Sequence, residues 1–223
     1  MAKGWRVTTV LGLFAVALAG VVWAVVLLLG EPPTVDYTAN HQPGQPVDVT
    51  LQTVGAYGSG TEPGWVSYLV KAPDGQWVHT TQFTVPAHTR INMTIVNYDS
   101  GSPLRNQQLG QVTGTLGNIA VLNGKPFSVL DSNTGNGVGH TFSIPTLGIS
   151  VPLWGNSGTA TLCAAAPCTT TSPHQVIQFS FRTGDPGQFP WQCFVPCGAG
   201  WLYGNGGPMQ TEGYMDGFMK VVA

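Results

Sequence analysis

The chain has 223 residues, of which only 8% are charged, with 30 Gly, 17 Pro and a formal net charge of −2. That length suits one sizeable core, and few charges with many turn-formers favour a β-rich fold. The eight Lys and Arg are scattered and form no basic field to hold phosphates, so nucleic acid is not expected as a partner.

At the N-terminus, Lys3 and Arg6 precede an uncharged, mostly apolar run from Val7 to Gly30. As a helix this run is roughly 36 Å long, enough to cross the ~30 Å hydrocarbon core of a bilayer. A cleaved signal peptide has a shorter apolar region, about 7 to 15 residues, and a small-residue cleavage site. The length of the run and its lack of any polar stripe count against a buried core helix. The expectation is a retained anchor over 1–30, a linker over 31–45 and a soluble domain over 46–223. The basic flank before the run and the acidic, Pro-rich "GEPPTVD" after it place the N-terminus in the cytoplasm and the rest of the chain outside. Thiols oxidise there, so the four cysteines are read as disulfides first and ligands second.

Past the linker, "VDVTLQTV" alternates polar and apolar positions. "GWVSYLVKA", the turn "PDG", "QWVHTTQFTV" and "RINMTIVNYD" follow. Short strands between turn-formers predict an antiparallel sandwich. Residues 100–136 are rich in Gly, Asn and Gln and read as an insertion over that sandwich, with one hairpin around "VLNGKPFSVL". Beyond it lie "GHTFSIPTLGISVPL", a small-residue segment, the strands "QVIQFSFRT" and "QFPWQCF", a cysteine loop and a last strand, "GFMKVVA".

Cys163 and Cys168, in "LCAAAPCTT", predict a local disulfide stapling a short loop. Cys193 and Cys197 sit four apart among Gly, Pro and aromatics in "FPWQCFVPCGAGWLYG", which has the look of a metal-binding loop but holds no histidine. His41, His79 and His88 have no second ligand at useful spacing and read as surface or structural residues, and His174 has only a slightly better case. The sequence holds no nucleophile elbow, no phosphate-cradling Gly loop ahead of a helix and no His-x-x-x-His, so nothing supports a hydrolase.

Three pieces in this order resemble a cupredoxin domain of the rusticyanin, sulfocyanin and cytochrome oxidase subunit II type: "FTVPAHTRINMTIVNYD", "VGHTFSIPTLGISVPL", and "VIQFSFRTGDPGQFPWQC" running to "YMDGFMKVV". The resemblance implies an all-β, Greek-key β-sandwich with copper at one end. One early His and a Cys, a His and a Met of the C-terminal loop would bind it. Such a set of thiolate, imidazoles and long axial thioether suits both oxidation states of copper. His140 matches the early ligand, Cys193 the thiolate, and Met215 the axial Met just before the last strand, with Met209 as a substitute.

The chain departs from the family where the second His belongs. Against the binuclear pattern Cys-x-x-x-Cys-Gly-x-x-His-x-x-Met it supplies Cys193, Cys197 and Gly198, then Trp201 in place of the His and Gly204 in place of the Met. An indole N–H donates a hydrogen bond and offers no lone pair to a metal. Two outcomes stay open. Either Cys197 replaces the missing ligand, giving His140, Cys193, Cys197 and Met215 around Cu(I) or Zn, or Cys193 and Cys197 form a disulfide in a metal-free descendant. The function implied is electron transfer to or within a membrane respiratory oxidase complex, through a protein partner. A structural subunit without metal and copper delivery are the alternatives. Catalysis by this chain alone is not expected, because the histidines for a second copper site are absent.

Overall fold

In the computed structural model, residues 2–28, 30, 32–39, 41–58, 64–157, 162–163, 165–198 and 206–223 are described. The chain divides into two units, Met1–Glu31 and Pro32–Ala223. The first is a single helix, α1, Ala2–Leu28. Within it Val7–Val26 is long and apolar enough to span a membrane, a property that a signal sequence near the N-terminus shares.

Among the described residues, the second unit is a two-sheet β structure of thirteen strands. In chain order they are β1 (Thr34–Asp36), β2 (Val47–Tyr57), β3 (Trp65–Lys71), β4 (Trp77–Val78), β5 (Gln82–Pro86), β6 (Arg90–Asn97), β7 (Ala120–Leu122), β8 (Lys125–Phe127), β9 (Val138–Ile144), β10 (Ile149–Trp154), β11 (Gln175–Arg182), β12 (Gly187–Gln192) and β13 (Asp216–Val222). One sheet runs β1-β5-β13-β12-β9-β10, the other β4-β3-β2-β6-β11-β7-β8.

The expected antiparallel arrangement is corrected in three places, since β1 with β5, β13 with β5, and β2 with β6 are parallel pairs. Both sheets are therefore mixed. Alternation along β6, where Ile91, Met93 and Ile95 are buried between more exposed neighbours, tells which face meets the core. It carries no signal for which strand lies alongside or in which direction. The stretch 31–45, read as linker, contributes β1, whose Val35 is 5% exposed. A three-residue strand is too short to show a period.

The insertion joins the second sheet through β7, which pairs with β11. The β7–β8 hairpin turns on Asn123 and Gly124, at φ 48° and 81°. Both values are positive, as the tight two-residue turn that matches strand twist requires, and Asn-Gly is the pair best suited to it.

The core is aromatic where the sheets face each other. The Trp191 ring lies 4.9 Å from Phe142 and 5.0 Å from Tyr68 between centroids, and its indole N–H donates to the Thr81 carbonyl at 2.9 Å. Each such side chain contributes on the order of 1.5–3 kcal/mol by leaving water. This packing fixes β9 and β12 side by side, and those two strands carry the site.

Outside this core, the loop holding the Cys163–Cys168 disulfide covers the other face of the second sheet. There Cys168 packs with Val54, Leu69 and Tyr98, and its N–H donates to the buried Gln52 side chain at 2.7 Å.

Candidate metal centre

All seven residues of β9 are buried, three of them polar: His140, Thr141 and Ser143. The period of two puts His140 on the same side as the core residues Phe142 and Ile144. Pairing with β10 shifts register beside it, Leu153 opposing His140 while Trp154 opposes Val138. This is a bulge at Gly139, of the kind that re-aims a neighbouring side chain.

β12 runs antiparallel to β9 with Gln192 opposite Ser143, which delivers Cys193 to the same pole. There the Cys193 N–H donates to the Met215 carbonyl at 3.0 Å. Its sulfur accepts the Thr141 N–H at 3.4 Å, and the Phe194 N–H donates to Thr141 Oγ1 at 2.8 Å. Cys193 is thus fixed on both sides by strand neighbours, while Cys197 lies four residues further along the loop.

Cys193 and Cys197 are free, with their sulfurs 3.1 Å apart. His140 Nδ1 is 2.9 Å from Cys197 Sγ and 3.8 Å from Cys193 Sγ. Among the described residues these three form the only cluster whose ligand atoms could close on a metal. A tetrahedral ion with bonds of ~2.3 Å to sulfur and ~2.0 Å to nitrogen holds a nitrogen and a sulfur roughly 3.5 Å apart and two sulfurs roughly 3.8 Å apart. The His140–Cys193 separation of 3.8 Å is within about 0.3 Å of that requirement. Cys197 sits too close to both partners, and moving it outward by roughly 0.7 Å completes the geometry. Two thiols and an imidazole fit a soft or borderline ion, copper or zinc.

Behind the imidazole stands a residue the sequence did not reveal. His140 Nε2 pairs with Asp99 Oδ2 at 3.0 Å, the arrangement in which a carboxylate fixes the ring so that its other nitrogen faces the metal. Asp99 is itself held. Its Oδ1 accepts the Ser100 N–H at 2.7 Å, and its carbonyl accepts the Asn156 N–H at 3.0 Å and the Asn156 amide at 3.2 Å. Asn97 receives the Asp99 N–H at 3.1 Å. Gly55 makes room for the carboxylate, since a Cβ there would lie 2.7 Å from Asp99 Oδ1. Asp99 was hidden in sequence because it stands 41 residues from His140 and reads as an ordinary strand-end turn former.

Charge in the metal-free cluster follows from burial set against these contacts. Burial would lower the His140 pKa, but its bonds to Asp99 and Cys193 outweigh that and push it up to about 9. Burial would raise Cys193, yet hydrogen bonds from Cys197 and His140 hold it well below the usual thiol range. Cys197, donating to Cys193 and buried as well, is pushed far up. Asp99 would be raised by burial, and its bond to His140 holds it below the usual carboxylate range. At neutral pH these directions favour a carboxylate, an imidazolium, a thiolate and a thiol.

Of the other expected residues, Met215 is fully buried in the same core, with its carbonyl bonded to Cys193. Met209 packs against that core as a partly buried side chain. Trp201 and Gly204 lie outside the described residues. His79 bonds Ser67 Oγ at 2.8 Å and stacks on Tyr57 at 3.6 Å. His88 pairs with Asp185 at 3.3 Å, and His174 bonds the Ser172 carbonyl at 2.7 Å.

No model of a known protein family matches this chain, and no curated protein matches it.

Proposed function

We propose that the chain is a membrane-anchored, extracytoplasmic protein of cupredoxin type that holds one copper ion on His140, Cys193 and Cys197 and serves electron transfer to or within a membrane respiratory complex. The observation that carries this reading is the buried cluster itself: two unbonded sulfurs and an imidazole nitrogen at 2.9–3.8 Å, with a carboxylate behind the ring.

When bound, copper supplies a reversible one-electron couple. The chain's own part is to hold the donors still. His140 and Cys193 are fixed by adjacent strands, and Asp99 keeps His140 Nδ1 turned toward the sulfurs, which favours small rearrangement on a change of charge. The helix Ala2–Leu28, with Lys3 and Arg6 at its start, supports a C-terminal domain on the outer side.

The test is to load the full-length chain with Cu(I) under reducing conditions, remove the reductant, oxidise the bound metal to Cu(II) with ferricyanide, and record absorption and metal content. A thiolate-to-copper band at one metal per chain is expected, and no bound metal with the fold intact overturns the reading. Copper delivery is the second reading, favoured by the position of Cys197 on a cavity wall. It expects rapid loss of copper to a competing chelator, where electron transfer expects retention. The metal-free alternative expects Cys193 joined to Cys197, against which the two free sulfurs weigh.

A further inference from the structure

A cavity of about 410 Å³ lies against the centre, with Gly55, Gly64, Trp65, Asp99, His140 and Cys197 among its walls. Five of its described wall residues are glycine, which leaves space there that larger side chains would take. It reaches only one side of the cluster: His140 and Cys197 are wall residues, and Cys193 and Met215 are not. Its volume is many times the ~30 Å³ that a water takes in the liquid.

Three protein donors with space beside them are the arrangement in which a metal keeps a fourth position open to an incoming ligand. The two donors on the wall are also the pair whose separation, 2.9 Å, must widen for a metal to fit, so adjustment and access fall on the same side.

We infer that this cavity is a ligand-binding site, resting on the metal-binding part of the proposed function, through which a neutral nitrogen donor of about the size of imidazole reaches the metal. The wall chemistry selects the class of ligand. Among the described residues, Asp99 is the charged residue of the wall, its side chain 18% exposed, and the wall includes neither Lys nor Arg. With two thiolates on the metal and a carboxylate beside it, an anionic ligand meets like charge and a neutral one does not.

The test uses the full-length protein in detergent, reduced and loaded with Co(II), whose thiolate charge-transfer and ligand-field bands report coordination. Metal content and the thiolate band are read first, then imidazole and azide are titrated separately. The inference expects a saturable one-to-one spectral change with imidazole, the thiolate band retained, and azide weaker by about tenfold or more.

Two variants check the route. Gly64 is exposed on the cavity wall, and a Cβ there meets nothing within 4 Å. Ser102 is a second exposed wall residue. At least one of Gly64→Phe and Ser102→Phe is expected to weaken imidazole binding by about tenfold while Co(II) content stays unchanged. Spectra indifferent to imidazole, azide binding as well as imidazole, imidazole stripping the metal into the filtrate, or wild-type imidazole affinity in both variants overturns the inference and leaves the metal site standing. No Co(II) bound to the folded protein overturns both.

Discussion

Replacing Asp99 with Asn removes one charge and almost no volume, at a position that touches the metal only through His140. The carboxylate accepts from His140 Nε2 at 3.0 Å and from the Ser100 N–H at 2.7 Å. An asparagine can serve one of these with its oxygen and then presents its amide to the other. The ring loses the partner that fixes its orientation and makes Nδ1 a better donor. Outer partners of this kind change metal affinity by about 10- to 100-fold, or roughly 1.4–2.7 kcal/mol. Competition of Asp99→Asn and wild type against a chromophoric chelator measures the change directly. Nitrogen chemical shifts of the His140 ring in the metal-free proteins separate loss of orientation from general loosening. Affinity within about twofold of wild type, with the ring signals unmoved, refutes the assigned role of Asp99.

Three further outcomes follow from the same groups. Near neutral pH, loading a divalent ion should release one proton from His140 and one from Cys197, so affinity rises by about a hundredfold per pH unit; calorimetry in buffers of different ionisation heat counts the protons, and a count of none contradicts the charge assignment. In the metal-free protein, stability should be flat between about pH 6.5 and 8.5, because the proton His140 keeps above its unfolded pKa is matched by the one Cys193 has already lost. It should fall above that window, where unfolding releases the protons retained by Cys197 and, up to about pH 9, by His140, and also below it, where the unfolded chain takes up protons that native Cys193 and Asp99 exclude; thermal melts showing stability still rising through pH 9 run against this. Replacing both Cys163 and Cys168 with Ser should lower stability by about 2 kcal/mol, the loop-closure value for so short a loop, without changing metal content; an unmoved urea midpoint refutes the first part and lost metal the second.

How far the sequence discloses this protein depends on how local each signal is. The hairpin at Asn123-Gly124 and the disulfide between Cys163 and Cys168 rest on neighbours a few residues apart, and both are readable. So is the apolar helix, whose length and composition are local properties. The β character follows from alternation, but the parallel pairs do not, because period two is blind to the identity and direction of the neighbouring strand. Within the site, His140, Cys193 and Cys197 stand out because imidazole and thiol are rare in this chain and chemically distinctive. Asp99 is a common residue type in an ordinary turn context. Its role exists only after β6 and β9 have been brought together, with Asn97 and Asn156 holding its backbone and Gly55 leaving space for its carboxylate.

The most direct test of the metal centre is X-ray absorption on the full-length protein, reduced and loaded with copper. The account predicts one copper per chain with two sulfur ligands and a histidine nitrogen, and loss of one sulfur in Cys197→Ser. A spectrum of nitrogen and oxygen ligands only, or a Cys193–Cys197 disulfide that persists in the copper-treated protein, would contradict it.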